Sequence, residues 1–186
     1  MTSFPVTPLS ASTPAAIAGV VFMLVLVVAS ISDVRSRRIP NRLVALLVVL
    51  GVVYSAVVLP PASGITRAVV SLAIGFGMWI PFYALGMLGA GDVKLFAAAS
   101  AWLAPSQVFG AALLSAFAGG LLSVLGLMLA HGVGLTTFRI VHALRDPKLL
   151  ATPLAVPAGR KTLPYGLAMA IGLAIAAWFP RLVTLI

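Results

Sequence analysis

Six runs of apolar residues separated by short connections leave this chain few folds to choose from. They fall at about Pro14–Ser32, Leu43–Leu59, Ala68–Leu88, Val93–Leu103, Val108–Ala130 and Leu163–Trp178. A helix needs ~20 predominantly apolar residues to cross the hydrocarbon core of a bilayer. Five runs reach that regime; the fourth is short and closes at Pro105, which makes it a tilted half-length helix or a re-entrant segment. The pattern predicts an all-α polytopic membrane bundle of about six transmembrane helices. Composition closes off the alternatives: 62% of residues are hydrophobic and only 8% charged, where a soluble domain carries roughly a quarter charged. With a mean hydropathy of +1.19, a soluble enzyme, a disordered regulator and a conventional nucleic-acid binder are excluded. No Cys is present, which removes disulfides, thiol nucleophiles and Cys zinc sites.

The basic residues orient the bundle. Arg35, Arg37, Arg38 and Arg42 follow the first run, Lys94 follows the third, and Arg139, Arg145, Lys148, Arg160 and Lys161 follow the fifth, leaving Arg67 and Arg181 alone on the other side. Cytoplasmic connections collect Lys and Arg, so both termini are expected outside the cytoplasm, with a short extracytoplasmic tail over residues 1–13. The remainder, 14–186, reads as one membrane-embedded domain. Its long connection, 131–162, is expected in the cytoplasm; there Leu135, Phe138, Val141 and Leu144 recur at helical spacing among Arg139, His142 and Arg145, the pattern of a basic amphipathic helix on a membrane surface or of a flap over substrate. Trp79, Trp102 and Trp178, near run ends, read as interfacial anchors.

There is no Glu, and the acidic residues are Asp33, Asp92 and Asp146. Asp33 ends the first run and Asp92 opens the fourth in Gly89-Ala90-Gly91-Asp92-Val93-Lys94. Two complete runs lie between them, and two crossings return a chain to the side it left, so both carboxylates are expected at one end of the bundle. An acid bordering a membrane span is costly enough to suggest function. The bland alternatives are that Asp33 pairs with nearby arginines and that Asp92 merely caps a helix. Two carboxylates a few Å apart cannot both ionise and share a proton, which equips them to activate water at a peptide carbonyl without metal or cofactor. Gly89 and Gly91 permit a tight turn and close approach of an extended peptide. Asp146, before Pro147, reads as a turn residue, and His131 and His142 as interfacial or loop histidines.

At these residues the chain resembles the type IV prepilin peptidases, Gly-x-Gly-Asp aspartic proteases of the membrane. The resemblance is carried by Asp33 with Arg38-Ile39-Pro40-Asn41, by Gly89-Ala90-Gly91-Asp92-Val93-Lys94-Leu95, and by Pro164-Tyr165-Gly166. It implies cleavage of a short basic leader from prepilin or pseudopilin precursors, on the cytoplasmic side of the precursor's hydrophobic segment, at the cytoplasmic face of a prokaryotic cytoplasmic membrane. It also implies Asp33 and Asp92 as the catalytic pair, no cofactor and no metal, and a role in orienting loop or substrate for Gly89, Gly91, Lys94, Arg38, Pro40, Asn41, Pro164, Tyr165 and Gly166. Precursors and the lipid bilayer are the expected partners, and nucleic acid is not. The Cys-x-x-Cys region of the larger bifunctional members has no counterpart, so a zinc-stapled methyltransferase portion is not expected; the compact form resembles the peptidases of tight-adherence (Flp-type) pilus systems. Two rival readings use the same aspartates: a small transporter with carboxylate ion sites, and a non-catalytic scaffold for pilus assembly.

Overall fold

The computed structural model describes residues 13–36, 38–131 and 165–179. Among them the secondary structure is helical throughout: α1 (Thr13–Ser36), α2 (Asn41–Val58), α3 (Pro61–Ala84), α4 (Ala90–Ser100), α5 (Pro105–His131) and α6 (Tyr165–Trp178). The all-α membrane class expected from the apolar runs is what is found. Four helices, α1, α2, α3 and α5, are long and apolar enough to cross a membrane. Of the last run, the described helix α6 has 14 residues, about 21 Å of rise. The fourth has 11. Residues 1–118 with 164–186 form one compact unit and 119–163 a second; within the second, the described part is the continuation of α5. The N-terminal tail before Thr13, Arg37, Pro164, Asp146 and the amphipathic pattern between 132 and 162 lie outside the described residues.

Local chemistry sets the helix ends. Leu59-Pro60-Pro61 separates α2 from α3: Pro60 cannot continue a helix, while Pro61 occupies the first helical position, where no N–H is needed. The α3 helix ends in a Schellman motif, with Met87 N–H donating to Phe82 O (2.9 Å), Gly86 N–H to Tyr83 O (2.9 Å) and Gly86 at φ +72°. The chain then re-enters at Gly89, the N-cap of α4.

Small residues and hydroxyls hold the first unit together, as expected where lipid supplies no hydrophobic drive between helices. A Cβ on Gly64 would run into the Ser55 backbone, one on Gly75 into Ser100, and one on Gly172 into Ser115; these glycines set the close approaches of α2 to α3, α3 to α4 and α5 to α6. The carboxyl end of α4 is buried; its last carbonyls are met by the backbone of the following turn, Trp102 N–H donating to Ala99 O (3.1 Å) and Leu103 N–H to Ser100 O (2.9 Å). The carbonyls of that turn find hydroxyls, Ser55 Oγ donating to Ala101 O (3.4 Å) and Ser71 Oγ to Leu103 O (2.9 Å). Trp102 Nε1 donates to Leu47 O (2.8 Å). At the start of α5, Gln107 accepts from Ala104 N–H (3.0 Å). Trp79 and Trp102 are 5% and 4% exposed, so the interfacial-anchor reading fails for both: each fills a core space beside a glycine or an aromatic ring. Trp178, at 42% exposed, is consistent with that reading.

Candidate active site

Asp33 lies in the last turn of α1, where the helix dipole opposes an anion, yet it is only 7% exposed. Its environment supplies the compensation. The first turn of α6 meets it, and Gly166 N–H donates to Asp33 Oδ2 at 2.9 Å. A helix amino terminus offers unpaired N–H groups and a favourable dipole to an anion. The approach requires glycine: a Cβ at Gly166 would stand 2.7 Å from Asp33 Oδ2 and 3.2 Å from Ile39 Cδ1. Arg35 and Arg38 are exposed while Asp33 is not, so the reading of Asp33 as a loop partner of the arginines finds no support in their placement.

Asp92 occupies the third position of α4, and Gly89 rather than Asp92 is the N-cap. Its carboxylate accepts a hydrogen bond from Gly89 N–H, the acid-to-cap half of a capping box. Asp92 stands at the start of an 11-residue helix, outside the four helices long enough to cross. Burial and then the charge of Asp33 push its carboxyl up to about 6, opposed by the Gly89 hydrogen bond. The segments that carry the two acids also meet in space: Ile39, after α1, lies against Gly91, the residue before Asp92, and against Gly166, whose N–H holds Asp33. The charge of Asp92 also acts on the Tyr165 phenol.

The remaining sequence-derived positions divide. Gly89, Gly91, Tyr165 and Gly166 gather around the carboxylates. Arg38, Pro40, Asn41 and Lys94 are exposed, and no described contact brings their side chains to either carboxylate. Residue-by-residue reasoning missed Ile39. It is 9% exposed and lies against both Gly91, whose Cβ would stand 3.7 Å from it, and Gly166, so it fills the space between the two acid-bearing segments. An apolar residue inside the polar stretch Arg37-Arg38-Ile39-Pro40-Asn41 was the available signal. Trp79 is the second omission: its ring meets Tyr165 edge-on at 6.4 Å.

Chemically, the arrangement is two carboxylates in different surroundings, one held by a helix amino terminus and one raised by burial and by its neighbour, with glycines leaving the backbone approachable. In comparison with known protein families, the model of the type IV leader peptidase family matches residues 20–124, a stretch that contains both acids. Neither the curated proteins nor the solved structures yield a match.

Proposed function

Because this chain belongs to the type IV leader peptidase family, we propose that it is an aspartic endopeptidase that removes the basic leader from prepilin or pseudopilin precursors, with Asp33 and Asp92 as its catalytic pair. The observation that carries the reading is that two acids separated in sequence by two complete membrane helices are joined through Ile39, which lies against both Gly91, the residue before Asp92, and Gly166, whose N–H donates to Asp33.

In the active form the pair holds one proton. The ionised carboxylate takes a proton from a water molecule as its oxygen adds to the scissile carbonyl carbon, and the protonated carboxyl donates to the carbonyl oxygen as that becomes negative. The tetrahedral diol then collapses: the C–N bond breaks, a proton passes to the leaving amine, and the pair returns to its singly protonated state. One water is consumed and no electrons are exchanged. The pair titrates as a unit, so neither residue is assigned acid or base. On this reading the peptidase domain occupies 14–186, its active end faces the cytoplasm, and both termini lie outside.

Transport is less well supported. A conducting path needs polar groups through the bundle, whereas the largest fully buried side chains include Phe96, Leu47, Leu95, Leu103, Met169 and Leu173. The buried hydroxyls of Ser30, Ser71, Ser100 and Ser115 are engaged with backbone carbonyls.

The deciding experiment incubates the purified protein in detergent with a prepilin precursor. Shortening of the precursor is expected, and Asp33→Asn and Asp92→Asn are each expected to reduce it by at least ~10³-fold with expression intact, in keeping with a pair that works as one unit. Asp146→Asn is expected to be silent. Full activity in either of the first two variants rules out the dyad.

A further inference from the structure

Next to the carboxylates lies a cavity of about 400 Å³ whose wall includes Met78, Trp79, Phe82, Leu88, Phe109 and Tyr165. Its volume falls in the range of small-ligand sites, and its lining is contributed by α3, the turn after it, the first turns of α5 and the start of α6. Two features tie it to the acids. Leu88 immediately precedes Gly89, whose N–H holds Asp92, and Tyr165 immediately precedes Gly166, whose N–H holds Asp33. The cavity is therefore the apolar continuation of the backbone that positions both carboxylates. One polar group on its wall has no partner: Trp79 Nε1 is buried without an acceptor among the described residues, although Trp79 is 5% exposed. A buried indole N–H ordinarily finds an acceptor.

We propose that this cavity receives the apolar segment that follows the scissile bond of the precursor, taking one or two of its large side chains, while the Trp79 indole N–H donates to a backbone carbonyl of the same segment. The inference rests on the peptidase reading, since it needs the scissile carbonyl to lie between Asp33 and Asp92. An extended peptide rises ~3.3 Å per residue, so a chain held at the carboxylates reaches the cavity wall within a few residues. Basic leader residues do not suit an aromatic and aliphatic cavity without a carboxylate, which assigns it to the apolar side of the cut. Specificity would then come from fit to a hydrophobic segment rather than from recognition of particular polar side chains.

The absence of Cys makes the test clean. The probe is a synthetic precursor peptide with a basic leader, an apolar segment and a single Cys placed two to five residues after the cut, presented to the Asp92→Asn protein carrying either Leu113→Cys, on the cavity wall, or Val49→Cys, on the exposed side of α2. A disulfide cross-link is expected at Leu113→Cys and not at Val49→Cys. In the otherwise unsubstituted enzyme, Ala116→Trp, which fills the cavity from its rim, is expected to raise KM about tenfold with kcat within twofold. Trp79→Phe, which keeps a ring and removes the N–H, is expected to raise KM several-fold, the equivalent of one lost hydrogen bond. Equal cross-linking at the two positions, or unchanged KM in both kinetic variants, overturns the proposal and leaves the cavity to lipid chains. Cross-linking without any hydrolysis by the wild-type chain instead sinks the peptidase reading while leaving the binding site standing.

Discussion

Gly166 is the residue on which the geometry of Asp33 turns. Glycine here has no left-handed backbone to serve; its use is the missing Cβ, which lets an N–H of α6 reach a carboxylate that the α1 dipole disfavours. Gly166→Ala places a methyl 2.7 Å from Asp33 Oδ2, so cleavage is expected to fall on the order of 10²-fold, the scale of a ~1 Å displacement at a reacting group. Gly77→Ala, whose Cβ meets nothing within 4 Å, serves as the control and is expected to be neutral or slightly stabilising, as alanine is in a helix interior. Circular dichroism and rates on the two variants check this, and equal losses would reduce Gly166 to a packing position. The acid at Asp92 carries a cost of its own. Its carboxyl is raised from 3.8 to about 6, so between those pH values the native state keeps a proton that the unfolded chain has released, and stability declines as pH rises through that window. Asp92→Asn removes the penalty. Its melting temperature in detergent is expected to match wild type near pH 4 and to exceed it by a few degrees at pH 7.5, with activity lost; a variant less stable than wild type at pH 7.5 contradicts this. That the two acids share an end was legible in the sequence from parity alone. The Gly166 contact was not, because it joins residues 133 positions apart and no local pattern encodes which helix start meets which carboxylate.

Among the elements, α4 departs most from an ordinary membrane helix, and its length was readable from Pro105 closing the run early. What the sequence concealed is how so short a helix ends inside a bundle. The carbonyls of the turn that follows it, at Ala101 and Leu103, are met by Ser55 and Ser71, which in a linear reading are two ordinary serines in apolar runs. Ser71 stands about 15 Å along α3 from Pro61, at 1.5 Å per residue, so the turn between α4 and α5 lies well within the bundle. From there α5 runs back toward the carboxylate end: Leu113 and Ala116 line the same cavity as Tyr165 and Trp79. Within the first unit, α4 and the start of α5 thus form a helical hairpin that leaves the carboxylate end and returns to it. Ser71→Ala strips the Leu103 carbonyl of its donor and is expected to cost about 1 kcal/mol, in the range of interhelical hydrogen bonds in membranes. Gly64→Ala drives a methyl into the Ser55 backbone, which has no flexible end to yield, and is expected to cost more, roughly 1–3 kcal/mol as for overpacking. Thermal unfolding in detergent ranks the two, and a harmless Gly64→Ala would mean that α2 and α3 are free to separate.

At the scale of the molecule, charge and parity combine into a claim about orientation. The apolar runs made the fold class legible, since no other architecture satisfies the backbone of helices this apolar; which neighbours meet the buried end of α4 was not legible, because run length alone does not say what packs against a helix end. The hairpin formed by α4 and α5 removes a dependence on whether the fourth segment reaches the far face. Within the first unit the start of α5 heads back toward the carboxylate end, and in sequence α5 is followed by the basic connection containing Arg139, Arg145, Lys148, Arg160 and Lys161. Arg35 stands in the last turn of α1, Arg38 follows that helix and Arg42 lies in the first turn of α2, all near Asp33 in sequence. Ten of the twelve basic residues fall in the first, third and fifth connections of the sequence, so the positive-inside bias predicts that reporter fusions after Arg42 and after Lys148 both register cytoplasm, and that a fusion after Leu59, between α2 and α3, registers the exterior. An exterior signal after Lys148 together with a cytoplasmic one after Arg42 would mean that α5 crosses away from the carboxylates, and would detach the second basic cluster from the end where cleavage is proposed. Inverting the bias is the stricter test: replacing Arg35, Arg37, Arg38 and Arg42 by Gln is expected to yield a mixed population by the same reporters and a proportional loss of precursor cleavage, because the inverted molecules present their carboxylates to the side where no basic leader waits.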